Sequence, residues 1–250
     1  MIQLLEYLYW IIAALEIYSE ASGNSTLRFF TKPLLMIVLI LFYARSLNTG
    51  WSGMHKMMMA AFAFSWVGDV ALMFSGEKGE SLMGIAKNPN FFLVGLVGFL
   101  ITHVLYTISF SKITNAGAET LLPKKFWVFI PLAIYMGVLL MLLVPSIGSS
   151  EATKPFLIPV LVYSTAIATM VVFAINRHGR VNDATFKLVV LGALLFMVSD
   201  SIIAINKFMQ PFATAGIFIM VLYIAGQYFI AKGMLAFDEK ICASYTTTSN

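Results

Sequence analysis

Charge and sulfur are what this chain has least of. Only 11% of its 250 residues are Asp, Glu, Lys or Arg, against 60% hydrophobic ones. A soluble domain carries about 25% charged residues. Too little charge is present to cover a water-facing surface, so the expected solvent is a bilayer. The single cysteine, Cys242, lies near the C-terminus, which excludes an internal disulfide and a cysteine metal site. Three histidines, His55, His103 and His178, are too scattered for a histidine-rich zinc centre. No Gly-x-Ser-x-Gly elbow, phosphate loop, His-Glu-x-x-His or dinucleotide fingerprint occurs. The net charge of +4 is modest and carried in connections, which points to membrane topology and lipid contact, not to nucleic acid.

What is present are apolar runs. A spanning helix needs about 20 mostly apolar residues, and the runs fall at 4–18, 29–47, 57–74, 91–110, 126–144, 156–175, 188–205 and 212–231. They predict an all-α integral membrane fold, an eight-transmembrane-helix bundle forming one domain over 1–236, with a polar, unstructured tail over 237–250. The first run is short and carries Glu6 and Glu16, and lacks the basic start of a cleaved leader. The connections are too brief to hold a soluble domain, so any chemistry belongs in the bundle or at its rims. His55, His178, Arg177 and Arg180 read as residues of connections. Ten of the sixteen Lys and Arg, among them Arg45, Lys56, Lys112, Lys124 and Lys232, fall on the side of the two termini. By the excess of positive charge on the cytoplasmic side, both termini are expected there.

The chain also repeats itself. The decapeptide from Thr31 (TKPLLMIVLI) and that from Thr153 (TKPFLIPVLV) share six of ten residues and open helices 2 and 6. The next helix in each half carries one aspartate, Asp69 or Asp200, twelve residues into its run. At 1.5 Å per residue both lie about 18 Å from the cytoplasmic edge. The following helix carries His103 in one half and Tyr223 in the other, each eleven residues beyond a phenylalanine. Two four-helix repeats, 1–115 and 124–236, are the expected arrangement.

An ionisable group inside a bilayer costs about 2.5–3.5 kcal/mol on insertion scales and needs a partner or a cavity. Asp69 follows Gly68 and Asp200 follows Ser199, small residues that let helices approach. Ser65 lies one turn before Asp69. At matched depth the aspartates are expected to face one cavity, where two close carboxylates supply a general acid beside a general base. His103 shares a helix face with Phe92, Gly95, Phe99 and Tyr106, and Tyr223 and Gln227 share another. Tyr163 lies in mid-helix. These residues read as a polar pocket wall or as ties between helices. Lys32, at the start of its helix, reads as a snorkelling anchor or as a grip on an anionic headgroup.

The series Lys32-Pro33-Leu34, Phe64-Ser65 to Gly68-Asp69, Gly95 to His103 and Tyr106, Gly192-Ala193, Phe196, Ser199-Asp200, and Tyr223 to Gln227 resembles the YhhN/TMEM86 family of lysoplasmalogenases over about residues 28–232. The resemblance implies a membrane hydrolase that cleaves the vinyl ether bond of lysoplasmalogens. A fatty aldehyde and glycerophosphoethanolamine or glycerophosphocholine are the implied products. It needs no metal or organic cofactor, and its partners are a lysophospholipid substrate and membrane lipid. Asp69 and Asp200 would then be the catalytic pair, with Lys32, His103, Tyr106, Tyr163, Tyr223 and Gln227 holding substrate, water and the aspartates. From the residues alone, a proton-coupled transporter is the competing expectation. An intramembrane aspartyl protease lacks its Pro-Ala-Leu segment, and a zinc amidase lacks its histidines.

Overall fold

The computed structural model describes residues 1–47, 51–76, 79–112, 121 and 125–247, with side chains up to residue 236. Among the described residues there are eight long helices: α1 (Ile2–Ser22), α2 (Ser25–Ser46), α3 (Gly53–Met73), α4 (Asn90–Ser111), α5 (Ile130–Gly148), α6 (Leu157–Ile175), α7 (Asp183–Phe208) and α8 (Ala215–Thr247). Short 3-10 turns, Phe126–Phe129 and Lys154–Phe156, lead into α5 and α6. The basic residues Lys78 and Lys124 lie outside the described residues.

Polar residues at the ends of the apolar runs set the helix boundaries. Gly23 closes α1 in the left-handed conformation, φ 66°, where a Cβ would be strained. Asn24 then caps α2 by accepting from the Leu27 amide at 3.0 Å, Ser52 caps α3 through the His55 amide, and Asn182 caps α7 through the Thr185 amide at 2.9 Å. Between α3 and α4 the chain forms a two-stranded hairpin, β1 (Ser81–Leu82) against β2 (Ile85–Ala86). Its two turn residues, Met83 and Gly84, both have positive φ, the twist that a two-residue hairpin requires.

Seven helices, α2 to α8, are long and apolar enough to cross a membrane. The chain is therefore a multi-pass membrane protein. The first helix is long enough, at 21 residues, but Glu6, Glu16 and Glu20 lower its hydropathy, so it is not among the seven. Two expectations are corrected. The last helix runs on to Thr247 where an unstructured tail was expected. His55, expected in a connection, is buried in α3, and Arg177, in the turn after α6 as expected, is buried as well. His55 is the third residue of α3 and meets the Tyr43 hydroxyl at 2.9 Å. Arg177 donates to the Phe110 carbonyl at 3.3 Å. Burial, aided by the nearby Arg180, pushes its guanidinium down to about 10.

The bundle is organised around two tight helix pairs. A Cβ on Gly98 of α4 would stand 3.0 Å from the Gly68 nitrogen and the Phe64 carbonyl of α3. A Cβ on Gly192 of α7 would stand 2.7 Å from the Gly226 carbonyl of α8. Glycine at these contacts lets backbones touch where any side chain would separate them. The main core, with Phe42, Phe62, Tyr106, Phe110, Met170 and Phe196, fills the space between the pairs. A smaller core of Phe92, Leu139, Leu143, Ile147, Val160 and Phe208 lies under α5.

Candidate functional site

The polar residues singled out in the sequence converge on the bundle centre, in two clusters. In the first, Tyr223 of α8 donates to Asp69 Oδ2 of α3 at 2.5 Å. One turn further along α8, Gln227 accepts from the Tyr106 hydroxyl at 2.5 Å and donates to Ser65 Oγ at 3.0 Å. Ser65 in turn donates to Thr102 at 3.1 Å. This network ties α3, α4 and α8 together, and its members are buried. Buried polar groups must find such partners where no water competes.

The second cluster is built on Asp200 of α7. Tyr163 of α6 donates its hydroxyl to Asp200 Oδ2. His103 of α4 places Nε2 2.9 Å from that hydroxyl and 3.2 Å from the same carboxylate oxygen. The other histidine nitrogen faces the Met170 sulfur at 3.4 Å. Both partners engage Oδ2, which leaves Oδ1 as the oxygen not held by them.

Two phenylalanines stand between the clusters. Phe196 meets the His103 ring edge-on at 4.9 Å and the Tyr223 ring at 5.3 Å. Phe99 meets Phe196 at 6.0 Å and Tyr223 at 5.9 Å. Gly68, beside Asp69, exists to seat this ring: a Cβ there would lie 2.7 Å from Phe99.

A partly open cavity adjoins the second cluster, between α4, α5, α6 and α7. Asp200, Tyr163, Ser164 and Ser201 give it a polar patch, and its other walls are apolar or aromatic, with Leu96, Phe99, Met136 and Met197 among them. A mostly apolar pocket with a few convergent polar groups is the usual form of a ligand site. Asp69 is not among its lining residues. The common cavity expected for the two aspartates is thus lined by one of them, and the Phe99 and Phe196 rings pack between His103 of the second cluster and Tyr223 of the first.

Lys32 is half-buried on α2, near enough for its charge to act on both Asp69 and Glu16. Glu16 went unassigned in the sequence. It is fully buried, accepting from Thr31 and Ser19 through Oε2. A glutamate in an otherwise apolar helix was the available signal. Among the described residues, no group of three or more His, Cys, Asp or Glu is placed to hold a metal ion.

Fold and site together define a multi-pass helical membrane protein whose bundle holds two tyrosine-bonded aspartates, one of them opening on an apolar cavity. A family model described as the YhhN family matches residues 27–234, which include every residue of both clusters. The chain belongs to the YhhN family. It is 29% identical over 200 residues to lysoplasmalogenase TMEM86B of Sus scrofa, a match covering 80% of this chain and 70% of that protein. No solved structure matches it.

Proposed function

We propose that the protein is a lysoplasmalogenase, hydrolysing the vinyl ether bond of a lysoplasmalogen to a fatty aldehyde and glycerophosphoethanolamine or glycerophosphocholine. The observation that carries this reading is Asp200, held through one oxygen by Tyr163 and His103 and presented to an apolar cavity. The relative's name and the family agree with it.

A vinyl ether, R–CH=CH–O–R′, is hydrolysed by protonating the carbon remote from oxygen. The resulting oxocarbenium ion takes up water, and the hemiacetal collapses to R–CH2–CHO and HO–R′. The slow step needs a positioned acid and a nearby negative charge for the cation, as in the carboxylate pairs of glycosidases. Asp200 is the acid. Tyr163 donates to Oδ2 and His103 stands beside the same oxygen, so Oδ1 is the oxygen turned to deliver a proton to the alkene carbon. The carboxylate left behind accepts a proton from the attacking water, so Asp200 ends each turnover as it began. Asp69, bonded to Tyr223 behind the phenylalanine pair, lowers the energy of the cation through its charge. Tyr106 and Gln227 hold Asp69's neighbours in place, and Lys32 takes the substrate phosphate at the membrane surface.

Two four-helix halves, 1–115 and 124–236, are part of the proposal, with α1 as an eighth span. The two glycine-seamed pairs, α3 with α4 and α7 with α8, support it, as does the crossing of partners. Asp69 is bonded from the last helix of the second half, and Asp200 is approached by His103 from the last helix of the first. Each glutamate of α1 has a partner that makes a membrane position tolerable. Glu6 pairs with Lys232 at 2.9 Å, Glu20 with Arg28 at 3.0 Å, and Glu16 accepts from Thr31. Both termini face the cytoplasm, on the charge asymmetry of the connections.

The test is incubation of the purified protein with a lysoplasmalogen in liposomes, followed by mass spectrometry. Aldehyde and the glycerophospho base in equal amounts are expected. Movement of unchanged lipid driven by a pH gradient would instead favour a proton-coupled transporter.

A further inference from the structure

The cavity at Asp200 lies within the bundle, so substrate must reach it through a wall or an end. The end nearer the start of α4 is closed. Phe92, Phe156 and Phe208 meet one another with ring centroids 5.5, 5.7 and 5.7 Å apart, and Lys207 lies over the Phe92 ring at 5.5 Å. Three mutually packed rings form a plug that a lysophospholipid headgroup does not pass without displacing it.

The side wall is different. Phe92, Leu96 and Phe99 of α4 and Met136, Leu139 and Leu143 of α5 face each other across the cavity. Nevertheless α4 and α5 are not among the packed helix pairs of the described residues, and α5 rests on α6, α7 and the short turns beside it. Its span is the least buried of the seven, at 17%, with Ile134, Val138, Met141 and Leu142 exposed on the outer face. The seam that corresponds to it in the other half, between α8 and α1, is tied shut. There Tyr9 donates to the Ile224 carbonyl at 2.8 Å and stacks on Tyr228 at 5.8 Å, and Glu6 pairs with Lys232. One seam is bolted by polar bonds, and the other is a contact of flexible apolar side chains against a lightly held helix.

We propose that the seam between α4 and α5 is a lateral portal, through which the hydrocarbon chain of a single-chain lipid passes from the bilayer into the Asp200 cavity. The proposal rests on the vinyl ether hydrolase reading for the identity of its substrate. A chain that slides in sideways never leaves an apolar medium. Leu96, Leu139 and Leu143 are the residues that must part.

Two experiments test it. In a Cys242→Ser background, Leu96→Cys and Leu139→Cys are joined by a thiol-cleavable bismaleimide, with each single cysteine variant as control. Bridging is expected to lower hydrolysis of a long-chain lysoplasmalogen in liposomes more than tenfold, and reductive cleavage of the bridge to restore it. A bridged protein that works at the unbridged rate overturns the portal. The second experiment does not depend on hydrolysis. A lysophosphatidylcholine with a diazirine at the end of its chain is photolysed with the unmodified protein, and labelled peptides are mapped. Labelling of cavity residues on α4 to α7, lost on bridging the cysteine variant, supports the portal. Labelling confined to outward residues or to the α1–α8 seam overturns it. If the unbridged protein releases no aldehyde yet labels in the cavity, the hydrolase reading fails and the portal stands.

Discussion

Replacing Tyr163 by phenylalanine removes one oxygen and leaves the packing of the site nearly unchanged. The ring still meets His103 edge-on, at a centroid distance of 5.1 Å, so no cavity forms and the fold is expected to survive. What is lost is the hydroxyl that donates to Asp200 Oδ2 and stands 2.9 Å from His103 Nε2. As the proton leaves Asp200 the acceptor becomes a carboxylate, and a hydrogen bond to a charged group contributes about 1.5–3 kcal/mol. If the bond holds Asp200 in its working orientation, the loss lies in the transition state. At about 1.4 kcal/mol per tenfold, turnover should fall roughly 10- to 150-fold. The chain still occupies the same apolar walls, so KM should change little. The assay is aldehyde release under saturating lysoplasmalogen, with thermal unfolding measured in parallel. The companion variant Tyr223→Phe removes the equivalent hydroxyl from Asp69, which does not line the cavity. Its loss of turnover should be smaller. Tyr163→Phe turning over at the normal rate, or Tyr223→Phe falling further than it, would refute the assignment of Asp200 to the reacting carbon.

Other expectations concern the frame. Gln227→Leu leaves Tyr106 and Ser65 without a shared partner in a buried site. It should destabilise the bundle by about 1–3 kcal/mol, seen as a lower unfolding temperature in detergent. Gly192→Val places a side chain against the Gly226 carbonyl and should cost a similar amount by overpacking. The same substitution at Gly137, whose added Cβ would meet nothing, should have little effect on unfolding. Lys32→Gln should raise KM more than it lowers kcat if the ammonium grips a phosphate. A fall in kcat alone would assign it to Asp69 instead.

Much of this frame was legible in the chain. The apolar runs located seven spans to within five residues at either end, because hydropathy is a local property. The aspartates, His103, Tyr106, Tyr163, Tyr223 and Gln227 stood out because polar groups in apolar helices demand partners. Which partner each takes was not legible. Tyr163 joins Asp200, and Tyr223 joins Asp69 across the bundle, since pairing depends on the rotation of each helix about its axis. Sequence depth fixes height but not rotation. Phe99 and Phe196 stood among the motif residues, but their meeting as a ring pair between His103 and Tyr223 was not legible, for the same reason. His55 misled through position: next to a run's end, a polar residue can turn inward as readily as outward. Continuation of α8 into the tail follows from backbone hydrogen bonds that a polar sequence permits but does not announce.

The central claim is that Asp200 delivers a proton to the alkene carbon of a vinyl ether. Hydrolysis in deuterium oxide tests it most directly, with mass spectrometry of the aldehyde formed by the wild type and by Asp200→Asn. The wild type should place one deuterium on the carbon beside the carbonyl, and the variant should lose aldehyde release by two orders of magnitude or more, roughly the contribution of a positioned general acid. Aldehyde formed without deuterium, or an Asp200→Asn protein releasing it at the wild-type rate, would contradict the account.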